Sequence, residues 1–272
     1  MVTDSIETVR RFWDANPLLT GELDVPAGSK EWFDGFDSIK TNDIFAGDLG
    51  DWIPGDIAGK SVLDVGCGPG YWHRRFGERK VDYTGIDISP VTIELAKKSR
   101  EIYGIAGNLE AGNAEELRFA DNSFDYIVSE GVIHHTPRTE KCVDEIWRVL
   151  KPGGRATIGL YYRNYVLSSP AIFKVALFFM RILNVSLKGR GREKMLVADN
   201  ASDFVRMYDG DQNPIGKSYT KKEVKAMFGK FSKIRLGRYY FPFRIFPFKA
   251  PACLQKIMAS LFGLMIIIKV EK

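Results

Sequence analysis

A short apolar strand that runs directly into three alternating glycines restricts the folds open to this chain. The segment reads Ser61-Val-Leu-Asp-Val-Gly-Cys-Gly-Pro-Gly70 and places Asp64 just before the turn. Glycine has no Cβ, so several glycines in one loop let the backbone turn sharply and let a ligand lie directly against the chain. The sequence therefore predicts a strand, a ligand-cradling turn and a following helix.

The spacing of these glycines separates two kinds of cofactor. A dinucleotide fingerprint needs G-x-G-x-x-G, and here Tyr71 occupies the position of its third glycine. The pattern that is present resembles motif I of the class I S-adenosylmethionine (SAM)-dependent methyltransferases. This resemblance implies a cofactor-binding loop formed by Asp64, Gly66, Cys67, Gly68 and Gly70.

Two residues of this loop have alternative interpretations. Asp64 either contacts the cofactor or only orients the loop, since a carboxylate beside backbone N–H groups can stabilise a turn without touching a ligand. Cys67 is expected to pack as a small hydrophobe, because a buried cysteine is seldom a nucleophile.

A second strand follows where this family would place it. Residues 81–89 form an apolar run that ends in Asp87. In nucleotide-binding α/β folds, a carboxylate at this position accepts hydrogen bonds from the ribose hydroxyls. The resemblance assigns Asp87, with Ile88 beside it, to the ribose of SAM.

Further segments extend the resemblance over residues 60–162. Residues 112–117 resemble the adenine-binding loop, which implies adenine contacts from Asn113 and Ala114. Residues 124–135 resemble the fourth strand and its end, and a Lys-Pro-Gly-Gly turn follows before the fifth strand. The resemblance implies SAM as cofactor and S-adenosylhomocysteine (SAH) as product.

The candidate catalytic residues follow the fourth strand. His134 and His135 come directly after it, at the edge where ligands bind in open α/β sheets. Either histidine could be a base or a substrate orienter, or could only cap the next helix. Glu130 ends the strand, where its backbone would meet the methionine part of SAM or its carboxylate a cationic acceptor.

Alternating strand and helix patterns predict an α/β fold with a doubly wound, mostly parallel sheet. The resemblance implies the seven-stranded Rossmann-like methyltransferase sheet, whose last strand is antiparallel. We expect one domain in four parts: an N-terminal helical cap at 1–60, the SAM-binding core at 61–162, a substrate-side helical insertion at 163–217 and the completion of the sheet at 218–272. Trp13, Trp32 and Phe33 of the cap either close the cleft or pack in the core.

The insertion contains a strongly apolar segment at residues 166–187. Lys174, Arg181 and Lys188 recur every seven residues and so form a basic edge along one helical face. A charge at the centre of a membrane span costs about 2.5–3.5 kcal/mol, so the segment is interpreted as a lid or an interfacial helix. Buried packing, an apolar substrate wall and docking to a membrane surface or a partner remain open.

Composition adds limits on compartment and partners. Three cysteines without a pairing pattern favour a reducing compartment, and no metal site is expected. The absence of a secretory pattern at the N-terminus predicts a cytoplasmic protein. Residues 217–249 contain ten Lys or Arg side chains against Glu223 alone. This stretch is either a solvated face or a surface for anions, so peripheral membrane contact through 166–187 and 217–249 remains open.

These observations favour a SAM-dependent methyltransferase for a small molecule with a bulky apolar part, acting first on oxygen and then on nitrogen or carbon. A lipid or prenyl-quinone methyltransferase at a membrane surface is the alternative within the enzyme class. A nucleic-acid methyltransferase or binder is disfavoured, because the chain has neither an Asn/Asp-Pro-Pro-aromatic motif nor a Pro-Cys pair. A SAM-binding protein without catalysis is the remaining alternative.

Overall fold

A central sheet with helices on both faces organises the chain. The computed structural model describes residues 5–183, 190–246 and 250–272. Over these residues the strands are β1 Ser61–Val65, β2 Asp82–Asp87, β3 Asn108–Ala111, β4 Phe124–Glu130, β5 Leu150–Tyr162, β6 Ser218–Tyr219, β7 Lys233–Tyr239 and β8 Met265–Glu271.

The strand order confirms a doubly wound, mostly parallel sheet. It runs β3-β2-β1-β4-β5-β8-β7, and β1 to β5 pair in parallel. β8 is antiparallel to both of its neighbours, β5 and β7. The order reverses between β1 and β4, so the carboxyl ends of these strands open onto a crevice that can take a ligand.

Two short strands give little signal in the sequence, and one of them adds to the expected seven. β6 is an eighth strand of two residues that pairs in parallel with the end of β5. β3 lies at the edge of the sheet, and Leu109 is its single buried residue. Neither strand has a continuous apolar run, which is the signal by which buried strands are recognised in a sequence.

Ten α-helices occur in the described part of the chain. They are α1 Ile6–Ala15, α2 Lys30–Ile39, α3 Tyr71–Gly77, α4 Pro90–Tyr103, α5 Thr139–Val149, α6 Tyr165–Ser168, α7 Pro170–Ile182, α8 Ala201–Met207, α9 Lys221–Met227 and α10 Ala252–Phe262. Serine caps and a following proline begin both α4 and α7, because proline at the first helical position loses no hydrogen bond. Thr220 and Glu223 form a capping box at α9.

The N-terminal segment packs on one face of the sheet. Trp52 is buried, and its backbone carbonyl accepts a hydrogen bond from the Tyr126 hydroxyl of β4 at 2.6 Å. Trp32 and Phe33 of α2 are also buried in this core. Burial of these large aromatic side chains fixes the segment against the sheet.

The apolar insertion forms two helices instead of one, because Pro170 starts a new helix after Ser169. α7 buries Phe173 and Leu177 against α8 and the end of β5. Its opposite face leaves large apolar side chains exposed, among them Phe178 and Phe179 at 57% each. Lys174 and Arg181 are exposed as well, while Lys188 lies outside the described residues.

The helices are too short for a membrane span. Within the three described ranges, none combines the length and the apolar character that crossing a bilayer requires. The insertion does contain a helix, α7. The expected role of this helix as a lid remains a prediction.

Candidate active site

A cleft of about 120 Å³ opens at the carboxyl ends of β1, β2 and β4. The glycine loop after β1 forms its floor, and Trp13 of α1 lies on the opposite side. Asp14 of the same helix accepts a hydrogen bond from the Ser89 hydroxyl at 2.7 Å. This bond holds α1 beside the end of β2. Of the three cap aromatics named from the sequence, Trp13 lines the cleft, whereas Trp32 and Phe33 pack in the core.

The three glycines of the loop serve different purposes. A Cβ at Gly66 would lie 2.3 Å from a methyl carbon of Val132, so the loop packs too closely there for any side chain. A Cβ at Gly68 would meet nothing within 4 Å, although both positions have a left-handed backbone. Gly70 precedes α3 in a left-handed conformation and lies outside the cleft lining. The open space at Gly68 fits close approach of a ligand to the backbone.

Asp87 projects from the end of β2 into this cleft. Its two oxygens accept hydrogen bonds from the backbone N–H groups of Gly68 and Ser89, both at 3.0 Å. Burial raises the pKa of Asp87 to about 6, and the charge of Asp14 adds to this effect. Ile88 also lines the cleft. A carboxylate in this position can still accept hydrogen bonds from a pair of sugar hydroxyls.

Asp64 is fully buried and does not line the cleft. It accepts a hydrogen bond from the Tyr83 hydroxyl at 2.7 Å. Burial raises its pKa to about 7. The contact links β1 to β2 behind the glycine loop, so this geometry favours the orienting role over direct contact with a ligand.

The neighbouring Cys67 lines the cleft. Burial raises the pKa of its thiol well above the ordinary value, with the charges of Asp64 and Asp87 acting in the same direction. The thiol therefore stays protonated near neutral pH and is a poor nucleophile.

Asn113 and Ala114 form the far wall of the cleft. The Asn113 side-chain oxygen accepts a hydrogen bond from the Glu115 N–H at 2.9 Å, which folds the loop into a tight turn. Glu115 is buried and accepts two hydrogen bonds from Arg138, one from the backbone at 2.7 Å and one from the side chain at 2.8 Å. The ion pair between Glu115 and Arg138 thus stabilises the turn. The sequence analysis did not identify this pair.

Glu130 ends β4 and forms a buried ion pair with Lys40, which lies after α2. It also accepts a hydrogen bond from the Tyr239 hydroxyl of β7 at 3.2 Å. These contacts satisfy the carboxylate, so the geometry does not support the suggestion that it binds a cationic acceptor. Lys40 itself lines the cleft, and no local sequence pattern marks it.

His135 lines the cleft, with its ring 5.3 Å from that of Trp13. Its Nδ1–H donates to the backbone oxygen of Ile215 at 2.6 Å, and its Nε2 lies 3.2 Å from a carboxylate oxygen of Asp209. Both partners are hydrogen-bond acceptors, so Nδ1 donates to Ile215 and Nε2 can donate to Asp209 when it carries a proton. The contact with Ile215 fixes the tautomer and leaves Nε2 as the atom that can exchange a proton.

Asp209 is an acidic residue that the sequence analysis did not identify. Its own burial would raise its pKa, but hydrogen bonds from His135 and Tyr161 and the charge of Arg190 lower the pKa below the ordinary value. Asp209 therefore remains ionised and can accept a hydrogen bond at the Nε2 side of the His135 ring. Sequence spacing gave no sign of this pair, because the two residues lie on separate elements.

His134 points away from the cleft and is fully buried. Its ring lies 4.4 Å from that of Tyr161. Burial lowers its pKa well below the ordinary value, and the neighbouring His135 adds to the shift. His134 is therefore neutral, and of the two candidate bases only His135 faces the cleft.

A second cavity of about 100 Å³ adjoins the cleft, and the two share Leu18, Lys40, Glu130, Gly131 and Asp209 as lining residues. Tyr208 lines this cavity and also a third, almost wholly apolar groove of about 350 Å³. The groove lies between α7 and α10. Cleft, cavity and groove therefore follow one another from the glycine loop to the insertion.

The methyltransferase domain family matches residues 63–158, which contain the glycine loop, Asp87 and the fourth strand. This match identifies residues 63–158 as a methyltransferase domain, of the type found in class I SAM-dependent enzymes. Gly68 and Asp87 fit the SAM that such enzymes use as cofactor, because one gives open backbone and the other a carboxylate in the same cleft.

Two relatives show the range of this methyltransferase family. The chain is 32% identical over 176 residues to phosphoethanolamine N-methyltransferase 2 of Caenorhabditis elegans, a match that covers 60% of the chain but only 37% of that relative. It is 26% identical over 185 residues to demethylmenaquinone methyltransferase of Oceanobacillus iheyensis, covering 66% of the chain and 78% of the relative. Relatives of this chain thus include small-molecule and lipid-related methyltransferases.

A solved structure supports the fold of this chain. It is a chain of the complex between the Haloferax volcanii Trm112 methyltransferase activator and the putative methyltransferase. The TM-score is 0.56 at 16% identity, and the alignment covers 88% of this chain and 94% of the other. At this identity the likeness concerns the fold alone.

Substitution of two glycines by alanine separates packing from ligand approach. Gly66→Ala forces a Cβ into Val132 and should lower the free energy of unfolding by about 1–3 kcal/mol. Gly68→Ala adds a left-handed alanine at about 1–2 kcal/mol and fills the open space, so SAH binding should weaken at least tenfold. Urea unfolding and calorimetry with SAH measure the two effects. Normal SAH affinity in folded Gly68→Ala protein would contradict this assignment.

The pKa of Asp87 predicts a pH dependence of SAH binding. Asp87 is a carboxylate above about pH 6, and protonation below that pH removes an acceptor for the ribose hydroxyls. The SAH dissociation constant should be constant above pH 7 and rise towards tenfold per pH unit below pH 6. Asp87→Asn should bind about 10–100-fold more weakly at pH 8 and lose this dependence. An unchanged pH profile in the Asp87→Asn variant would exclude Asp87 as the source of the pH dependence. Glu94→Gln changes an exposed residue of α4 and is the control.

Proposed function

We propose that the chain transfers a methyl group from SAM to an oxygen atom of a small molecule with a bulky apolar part. The observation that carries this proposal is the row of cavities from the cleft to the apolar groove. Shared lining residues join each cavity to the next, and Tyr208 stands between the second cavity and the groove. A reacting head group fits beside the cleft while an apolar body extends towards α7 and α10.

When bound, SAM supplies an activated methyl group on a positively charged sulfonium. The residues of the chain hold the reactants together, and such positioning removes much of the entropic barrier to transfer. Asp87, Gly68 and Asn113 would bind the cofactor. Trp13 and Leu18 cover the cleft with apolar surface and exclude water.

His135 and Asp209 form the proton-accepting pair of the proposed reaction. The backbone oxygen of Ile215 holds the Nδ1 proton, so the ring takes a proton from an acceptor hydroxyl only at Nε2, and only when Nε2 carries none. Asp209, whose carboxylate oxygen lies 3.2 Å from Nε2, then accepts a hydrogen bond from the transferred proton. An acceptor that is already an anion would need no such proton transfer, and His135 would then orient it as a hydrogen-bond donor.

A membrane surface is the second candidate environment, and the exposed face of α7 favours it. Phe178, Phe179, Ile182 and Leu183 are each more than half exposed, and Ile257 of α10 is exposed at 55%. Contiguous exposed apolar surface of this kind is rare on soluble monomers and often marks a contact with protein or membrane. Lys174 and Arg181 on α7 would interact favourably with anionic lipids. The acceptor would then be a lipid or a prenyl quinone.

Methyl transfer is tested with methyl-labelled SAM in a host-cell extract that is partitioned between organic and aqueous phases. The wild type should transfer label into the organic phase, and Asp87→Ala should abolish this transfer. Asp82→Ala is the matched control, because Asp82 is an exposed carboxylate on the same strand. Label confined to polar aqueous products would exclude an apolar acceptor, and SAH binding without any labelled product would favour a protein that binds SAM without catalysis.

Membrane contact is tested by flotation with vesicles of phosphatidylglycerol and phosphatidylcholine. The double variant Phe178→Ser and Phe179→Ser should reduce vesicle binding about tenfold or more, because each phenyl ring contributes up to about 1.5–3 kcal/mol on burial. The control pair, Val91→Ser and Ile102→Ser, changes exposed apolar residues of α4 and should bind as the wild type does. Equal binding by both double variants would exclude α7 as the contact.

A further inference from the structure

A buried cluster of arginines lies beside the second cavity. Glu22 has a side chain only 3% exposed and forms ion pairs with Arg190 at 3.1 Å, Arg192 at 2.9 Å and Arg244 at 2.8 Å. Arg244 also pairs with Asp43 at 3.7 Å, so three guanidinium groups share two carboxylates. All three arginines line the second cavity, so their guanidinium groups are located at the cavity wall.

Arg190 is the member of the cluster with unused hydrogen-bond donors. Its side chain is 5% exposed, and its Nε and Nη1 have no hydrogen-bond partner within the described ranges. A buried donor without a partner loses its hydration and gains nothing in return, which is costly for a charged group. A guanidinium has five donors in a planar fork that matches carboxylate and phosphate oxygens. The unused donors of Arg190 therefore indicate a missing anion.

The negative groups that face the cavity are already paired. Glu130 is bound by Lys40 and Tyr239. Asp209 is bound by His135 and Tyr161. Neither carboxylate supplies the unused donors of Arg190.

The size of the cavity suits a small anionic group. A buried water needs about 10–15 Å³ of such space, and the cavity of about 100 Å³ is several times larger. The hydroxyl groups of Tyr208 and Tyr240 hydrogen-bond to each other at its wall. The cavity therefore has room for a carboxylate or a phosphate group. One of the two hydroxyls donates to the other, so the second keeps a proton that it can donate to this group.

We propose that this cavity binds a carboxylate or phosphate group of the methyl acceptor, with Arg190 as its main partner. The acceptor is then an anionic amphiphile, with its charged group in the cavity and its apolar body past Tyr208 in the groove. This inference rests on the proposed function, because it takes the cavity beside the cofactor cleft as the acceptor site. It narrows the acceptor class from apolar molecules in general to those with an anionic oxygen group.

The proposal is tested by calorimetry on the full chain saturated with SAH. Three probes of equal chain length are compared: dodecanoate, dodecyl phosphate and dodecanol. The two anions are kept below their critical micelle concentrations and dodecanol below its solubility limit. The wild type should bind at least one anionic probe ten times or more tightly than dodecanol. Arg190→Gln should reduce that preference to about twofold or less, since Glu22 keeps its pairs with Arg192 and Arg244. The relative affinity of the two anions shows whether carboxylate or phosphate is preferred.

Two further variants make the result decisive. Lys194→Gln removes a nearby cation that is 65% exposed and paired with Asp211, and it should bind all three probes as the wild type does. Arg190→Lys keeps the charge but loses the planar fork, so it should weaken anion binding severalfold even if Arg190→Gln does not fold. SAH affinity should be unchanged in every variant.

Three outcomes would overturn the proposal: equal binding of dodecanol and both anions, an undiminished preference for anions in folded Arg190 variants, or no binding of any probe. Failure of the proposed function is a separate observation. It would show as absent SAH binding or absent methyl transfer in the wild type, whatever the probes do.

Discussion

The buried ion pair between Lys40 and Glu130 holds the parts of the active site in register. Lys40 belongs to the N-terminal segment, and Glu130 ends a central strand. The Tyr239 hydroxyl of edge strand β7 adds a hydrogen bond to Glu130. Removal of one member of a buried pair leaves an uncompensated charge and costs about 3–5 kcal/mol. Because both residues line the cleft and the second cavity, the pair couples the position of the N-terminal segment to the shape of both sites.

The cofactor side and the proposed acceptor side of the site come from different parts of the chain. The glycine loop, Asp87 and the turn at Asn113 come from the parallel strands, where backbone geometry alone brings them to one edge. The proposed acceptor side comes from elsewhere, since Asp209 and Arg190 lie in the segment between β5 and β6.

Sequence reasoning succeeded where the signal is local. The glycine spacing and the acidic end of β2 each depend on neighbouring residues. It missed the partners that folding brings from a distance: Lys40 lies 90 residues before Glu130, and Asp209 lies on a different element from His135. It also left His134 and His135 as equals, because only the short helical turn that contains them decides which ring faces the cleft. The break at Pro170 carried the same local signal as Pro90 but lay inside an apolar run.

The two-residue strand β6 has a consequence for how this architecture can vary. Ser218 and Tyr219 pair with Tyr161 and Tyr162, and the Arg163 N–H donates to the Tyr219 carbonyl at 2.9 Å. The segment between β5 and β6 therefore leaves the sheet and rejoins it at the same place, so it forms a loop whose two ends are hydrogen-bonded to each other. Doubling the length of such a loop costs only about 0.6 kcal/mol of closure entropy. The segment can be enlarged or exchanged while the strands beneath it keep their spacing.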